Sequence, residues 1–306
     1  MKKIFILPIS FFILILFSCS YDYQKFFFRG PHVDERAKEI KKLSSPIKNS
    51  SEINFLVVTD LHFGGKNKRP EQQFLNSLKD NKFEFVIFLG DLVDTGFEEN
   101  YKESEVFVEK IKKIKNDVLF YVLLGNHDLY QDGIEHWSKL TYSTNKDTSY
   151  FYFQTPTNLE NNKFRSWYFL DTASGILGYN QLNDLKLRME KDKNSKIVFT
   201  HYPIYADMSM FDFFRLSDTR ERALLIEIFD KNNVDFVFSG HWHSGGIYDF
   251  GNFTEICLKS FCENRDEETF WAFVNLDESN QSMTLKKYLV KNGKLNTTKT
   301  KYTFNN

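Results

Sequence analysis

Five short segments gather most of the residues able to do chemistry: Asp60-Leu61-His62, Gly90-Asp91-Leu92-Val93-Asp94, Gly125-Asn126-His127-Asp128, Thr200-His201 and Gly240-His241-Trp242-His243. Five of the seven histidines fall within them. Aspartate, asparagine and histidine without cysteine form an oxygen and nitrogen ligand set. Such a set suits manganese, iron or zinc better than it suits soft-thiolate chemistry. Roughly seven candidate ligands are too many for one tetrahedral ion and fit two ions that share a carboxylate. Two ions about 3.5–4 Å apart can bridge a hydroxide and clamp an in-line displacement at phosphorus. The chemistry expected of these residues is therefore binuclear hydrolysis of a phosphate ester.

The segments must be carried to one place by the elements before them. Ile53–Thr59, Phe85–Leu89 and Val118–Leu124 are short, nearly continuous apolar runs, as strands buried on both faces require. Between them Glu71–Lys82 and Glu98–Lys115 carry apolar residues at helical spacing, which gives a βαβ series with parallel pairing. A second series follows: strand Phe164–Leu170, helix Tyr179–Asp192, strand Lys196–Thr200, helix Asp218–Asn232 and strand Val234–Ser239. The C-terminal third reads as all β, with strands Phe253–Leu258, Thr269–Leu276 and Ser282–Val290. Asn292-Gly293 then offers a type I′ turn into a last strand near Thr297–Phe304. The fold class expected is α/β, a four-layer α/β/β/α sandwich of two packed mixed β-sheets flanked by helices. All five segments start at a strand's carboxyl end, where open α/β sheets bind ligands. The glycines before Asp91, Asn126 and His241 suit tight bends there.

This ordered set, Asp60-x-His62, Gly90-Asp91-x-x-Asp94, Gly125-Asn126-His127-Asp128, His201 and Gly240-His241-x-His243, resembles the calcineurin-like metallophosphoesterase superfamily. The resemblance implies roles position by position. Asp60, His62 and His243 would hold a first divalent ion, Asn126, His201 and His241 a second, and Asp91 would bridge them. His127 would face the substrate as proton donor or charge stabiliser, and Asp128 would orient its ring. Asp94 would support the site by hydrogen bonding. Asp94 stands where the purple acid phosphatases have their colour-giving tyrosine, and those enzymes also lack a histidine equivalent to His62. The chain thus looks closer to the phosphodiesterase and broad phosphoesterase branches. The substrate expected is a phosphomonoester, a phosphodiester or a nucleotide.

Composition sets the remaining bounds. At 306 residues and 42% hydrophobic content the chain can bury a sizeable core. A formal net charge of -1 gives no basic field, so no nucleic-acid partner is expected. Lys2 and Lys3 precede an apolar run, Ile4–Phe17, that ends at Ser18-Cys19. The run is too short to span a bilayer comfortably and reads as an export signal, and Leu16-Phe17-Ser18-Cys19 resembles a bacterial lipobox. The expected organisation is a lipoprotein-type signal peptide over residues 1–18, a lipidated Cys19 and solvated tether over 19–52, and a metallophosphoesterase domain over 53–306. The protein would then be exported and anchored to a membrane through Cys19. Cys257 and Cys262 are expected as buried free thiols more readily than as a bridge. Gly64-Gly65-Lys66 lacks P-loop spacing and is read as a turn. The reading from another class is a catalytically inactive phosphoesterase-fold scaffold or binding lipoprotein.

Overall fold

A computed structural model describes residues 30–48, 50–158, 163–207 and 212–304. The signal-peptide segment, Cys19 and Phe26–Phe28 lie outside the described residues. Thirteen strands are described: β1 (Lys41–Lys42), β2 (Glu52–Val58), β3 (Phe85–Phe88), β4 (Leu119–Val122), β5 (Phe151–Asn158), β6 (Lys163–Phe169), β7 (Ser195–Phe199), β8 (Val234–Ser239), β9 (Gly246–Asp249), β10 (Thr254–Cys257), β11 (Glu268–Asp277), β12 (Ser282–Lys291) and β13 (Lys294–Thr303). One sheet has the order β13-β12-β11-β2-β3-β4, the other β1-β5-β6-β7-β8-β10-β9. Both are mixed. β2, β3 and β4 run parallel, as do β6, β7, β8 and β10, while β11, β12 and β13 add antiparallel strands beside β2.

The apolar runs are continuous because each central strand is covered on both faces. In β2, Ile53, Phe55 and Val57 point into the layer between the sheets, and Leu56 and Val58 point to the helices on the other side. That inner layer is largely aromatic. Phe55 meets Phe85, Trp167, Phe199 and Phe238 with ring centroids 5.2–6.0 Å apart. Replacing Phe55 by alanine would cost about 3–5 kcal/mol. Helices Glu71–Lys79, Glu98–Ile114 and Gly133–Ser138 cover the outer face of the first sheet, and Val33–Arg36, Tyr179–Lys191 and Thr219–Lys231 that of the second. In Glu98–Ile114 the buried side chains are Tyr101, Ser104, Phe107, Val108 and Ile111, one stripe at helical spacing. The four-layer sandwich is the architecture expected. Asn292 and Gly293 both have positive φ (50° and 72°), the turn their sequence called for.

Two expectations are corrected. Within the span 19–52, read as a solvated tether, described residues from Val33 on pack against the body. Val33, Ala37 and Ile40 are buried against Tyr150, Leu170 and Leu177, and Lys41–Lys42 pairs in parallel with Phe151-Tyr152. Leu43 and Ile47 pack on the inner layer. The strand β5 was not anticipated. It pairs antiparallel with β6, and its register slips around Pro156, which has no N–H to give the ladder.

Candidate metal centre

The parallel strands β2, β3, β4, β7 and β8 all end at one edge, and each turns sharply there. Asp60, His62, Asp91 and His241 all adopt left-handed backbone conformations, with φ between 48° and 61°. Such conformations cost roughly 1 kcal/mol or more for residues with a Cβ and persist only where the surroundings hold them. Here they are held: the amide of Asp60 donates to the Gly90 carbonyl at 3.1 Å, that of His62 to the Asp91 carbonyl at 3.1 Å, and that of His241 to Asp60 Oδ2 at 3.1 Å. Gly90 has a φ of 97°, and a Cβ there would lie 2.7 Å from His201 Nδ1. At Gly125 a Cβ would lie 2.2 Å from Asp91 Oδ1. The two glycines let the β3 and β4 turns close on the same carboxylate.

The side chains converge in two groups. In the first, His243 Nε2 lies 3.3 Å from Asp60 Oδ1, His62 Nε2 lies 3.4 Å from His243 Nε2, and Asp60 Oδ1 is 4.0 Å from His62 Nε2. In the second, His201 Nε2 is 3.2 Å from Asn126 Oδ1, and ligand atoms of Asp91, His201 and His241 lie within 4.8 Å of one another. Asp91 stands between the groups. Its Oδ1 is 3.4 Å from His201 Nε2 and its Oδ2 is 3.7 Å from His62 Nε2. All seven residues expected to hold metal are thus brought together.

Backbone carbonyls set the histidine tautomers. His201 Nδ1 donates to the Leu89 carbonyl and His241 Nε2 to that of Phe213, both at 2.8 Å. A carbonyl can only accept, so in the neutral rings the lone pair is left on His201 Nε2 and on His241 Nδ1. These carbonyl partners had no signal in the sequence, because a carbonyl belongs to every residue.

The charges respond to one another. Burial alone would raise both carboxyls, but His243 holds Asp60 down to about 2 and His201 holds Asp91 well below the usual range. His201, which burial would lower, is raised by Asp91 to about 9. Burial and the neighbouring His201 push His241 down to about 4. Two carboxylates at full charge inside a buried cluster call for cations, and a divalent ion there would displace the His201 proton. One atom makes the fit specific: Asp60 Oδ1 is fully buried and has no hydrogen-bond partner among the described residues. An acceptor left bare between two histidine nitrogens is suited to a cation.

The supporting residues differ from expectation at one point. Asp128 does not orient the His127 ring. Its Oδ1 accepts from the Leu92 and Val93 amides at 3.0 and 3.2 Å and its Oδ2 from the Gly125 amide at 2.9 Å, tying the β3 and β4 turns together. The His127 ring is held instead by Asp94, whose carbonyl accepts from Nδ1 at 2.7 Å. The Asp94 carboxylate lies 3.6 Å from His62 Nδ1, a charge beside the ring rather than the hydrogen bond expected of it. Gly65 returns its amide to the His62 carbonyl, a turn as read.

Three contributors went unnoticed in the sequence. Arg69 donates to the His62 carbonyl at 2.8 Å and Asn264 to the His243 carbonyl at 3.2 Å. Glu255, fully buried on β10, accepts from the Ile204 and Tyr205 amides and from Ser239 Oγ, clamping the loop after His201 to the end of β8. Of the aromatic residues near the site, Tyr202 stacks on His241 with centroids 3.8 Å apart, Phe214 packs on Trp242, and Phe213 is exposed.

The model of the calcineurin-like phosphoesterase family matches residues 53–245. A "Probable cyclic nucleotide phosphodiesterase" of Colwellia psychrerythraea is 27% identical over 206 residues, 64% of this chain and 73% of that protein. An "Uncharacterized metallophosphoesterase" of Campylobacter jejuni is 26% identical over 228 residues, 70% of this chain and half of that protein's length. Among solved structures, a dimetal phosphatase from Danio rerio superposes with a TM-score of 0.54 at 14% identity, covering 77% of this chain and 95% of that one. An anchor protein of the inner membrane complex of Plasmodium reaches 0.64 at 18% identity, covering 83% and 90%. At these identities the solved structures share the fold alone.

Proposed function

The chain belongs to the calcineurin-like phosphoesterase family, and on that premise we propose that it hydrolyses a phosphomonoester, a phosphodiester or a nucleotide at a centre of two divalent ions, manganese, iron or zinc. The observation that carries this reading is Asp91, whose two carboxylate oxygens face different histidines at 3.4 and 3.7 Å. Asp60, His62 and His243 would hold one ion, Asn126, His201 and His241 the other, with Asp91 shared. Bound there, the ions supply Lewis acidity toward the phosphoryl oxygens and an acidified water as nucleophile.

The protein's own residues account for the rest. His127 is anchored through Nδ1 to the Asp94 carbonyl, which presents Nε2 for a proton to the leaving oxygen. The strained turns keep the ligands in place before substrate arrives, so little reorganisation is needed in the reaction. A panel of phosphomonoesters, phosphodiesters and nucleotides, assayed with single metals added back, tests the reading. Absence of metal-dependent turnover on every member would overturn it.

We also propose that the protein is exported and held to a membrane by acylation of Cys19. The support is the charged start, the apolar run and the Leu16-Phe17-Ser18-Cys19 end. Cys19→Ser should release the protein from the membrane fraction. A variant that stays bound, with no lipid mass on the native chain, would defeat this.

A further inference from the structure

Beside the first group of ligands lies a residue that the phosphoesterase reading does not use. After β10 the chain runs along the end of β2: the Phe261 amide donates to the Thr59 carbonyl at 2.9 Å and the Cys262 amide to the Asp60 carbonyl at 3.2 Å. Two residues on, Asn264 donates to the carbonyl of His243. The segment is thus tied to two of the candidate ligands, by the Cys262 amide to Asp60 and by the Asn264 side chain to His243. The Cys262 side chain is 1% exposed, and Sγ lies within 4.8 Å of a ring nitrogen of His62 and one of His243, themselves 3.4 Å apart at Nε2. Asp60 Oδ1, buried and without a hydrogen-bond partner among the described residues, lies 3.3 Å from His243 Nε2.

We propose that Cys262 is a further ligand, through its sulfur, to the ion that Asp60, His62 and His243 would hold, and that it biases this position toward zinc or cobalt over manganese. The proposal rests on the metal-centre reading above. A buried cysteine in an apolar niche is ordinarily inert packing, and Cys257 is such a case, with its Sγ 3.3 Å from the Gly240 carbonyl. Cys262 differs in its neighbours: two imidazoles and a carboxylate able to meet at one ion. Its sulfur also meets Ser260 Oγ at 3.3 Å and the Asn67 side chain, contacts compatible with support of a sulfur ligand.

The chemistry is a simple exchange. A sulfur–metal bond forms, the S–H bond breaks, and the proton leaves to solvent with no change of oxidation state. Without a cation, burial pushes the thiol up to about 11 and it stays protonated. A coordinated cation removes that proton outright. Metal–nitrogen and metal–sulfur bonds of about 2.0–2.1 and 2.3 Å require the three side chains to draw inward onto the ion. A thiolate favours zinc and cobalt, whereas a carboxylate with two imidazoles and no sulfur leaves manganese more competitive.

The full-length protein loaded with cobalt(II) alone tests this. The wild type should show an intense near-ultraviolet sulfur-to-cobalt band beside the visible d-d bands. Cys262→Ser should lose that band while still binding cobalt, and Cys257→Ser should keep it. In competition, Cys262→Ser should lose roughly tenfold or more of the zinc-over-manganese preference. The wild-type spectrum needs no variant, and Cys262→Ala checked by circular dichroism covers a serine variant that misfolds. Bound cobalt with d-d bands but no sulfur band, or a band that survives in Cys262→Ser, overturns the cysteine ligand and leaves the metal centre standing. A wild type that binds no cobalt overturns both.

Discussion

The carbonyl oxygen of Asp94 lies 2.7 Å from Nδ1 of His127. A carbonyl has no proton to give, so Nδ1 carries the hydrogen and Nε2 faces outward for chemistry. If His127 protonates the leaving group, His127→Ala should slow alkyl esters by about 10²–10⁴-fold and activated aryl esters far less, with both metals retained. Rates on the two substrate types decide it. Equal losses would mean that His127 stabilises charge and transfers no proton.

Asp91 and Asp94 share a turn and should behave differently. Asp91→Asn removes the charge that faces both ligand groups and should cost at least one ion and nearly all turnover, with an unchanged circular dichroism spectrum. Asp94→Asn keeps the carbonyl that holds His127, so it should retain both ions and lose roughly 10–100-fold in activity. Metal content and rates of both variants are the measurement. Two tightly bound ions and near-native turnover in Asp91→Asn would sink the binuclear assignment.

Asp128 is a structural clasp. Asp128→Ala leaves the buried amides of Leu92, Val93 and Gly125 without their acceptor, an expected cost of about 2–4 kcal/mol. Urea denaturation should show this loss even in the metal-free protein. A variant as stable as wild type, yet inactive, would restore Asp128 to a direct role in catalysis.

Glu255 makes stability pH-dependent. Burial raises its carboxyl to about 7, above the ordinary value of 4.5, despite the amides it accepts from. Between these values the folded chain binds the proton more tightly than the unfolded chain. The contribution is therefore fully present below about 4.5 and is lost as pH rises through about 7, by up to roughly 3 kcal/mol. Glu255→Gln, which cannot ionise, should flatten this part of the stability profile. Unfolding midpoints measured at pH 5, 6, 7 and 8 check it, and an unchanged slope would remove Glu255 as the source.

Much of the site could be read from the chain alone, because its ligands come as side-chain types at the ends of apolar runs. Asp60, Asp91 and His201 each follow a strand recognisable by its own residues, and strands of a parallel sheet end on the same side. The α/β/β/α architecture was legible for the same reason: Ile53, Leu56 and Val58 are all apolar, which a strand exposed on one face does not tolerate. The C-terminal strands were visible as alternation, but nothing local shows that β11 joins β2 while β10 joins β8.

Contacts between residues distant in sequence were legible only in the folded chain. Val33, Ala37 and Ile40 look like scattered apolar residues among charges until Tyr150 and Leu170 are seen to cover them. Asp128 follows His127 in sequence, and adjacency suggested that one serves the other. In the 3₁₀ turn His127–Leu129 successive side chains diverge by about a third of a turn, so Asp128 points to the buried amides and His127 to the site. Cys262 lies 19 residues beyond His243 with no ligand spacing to mark it, and only the backbone pairing of 261–262 with 59–60 brings its sulfur to the histidines. Apolar periodicity dictates where strands end, so the chain alone tells which residue types meet at the sheet edge. Which carbonyl holds which ring, and which thiol stands beside which imidazole, was decided by long-range packing, because those contacts use groups that every sequence contains.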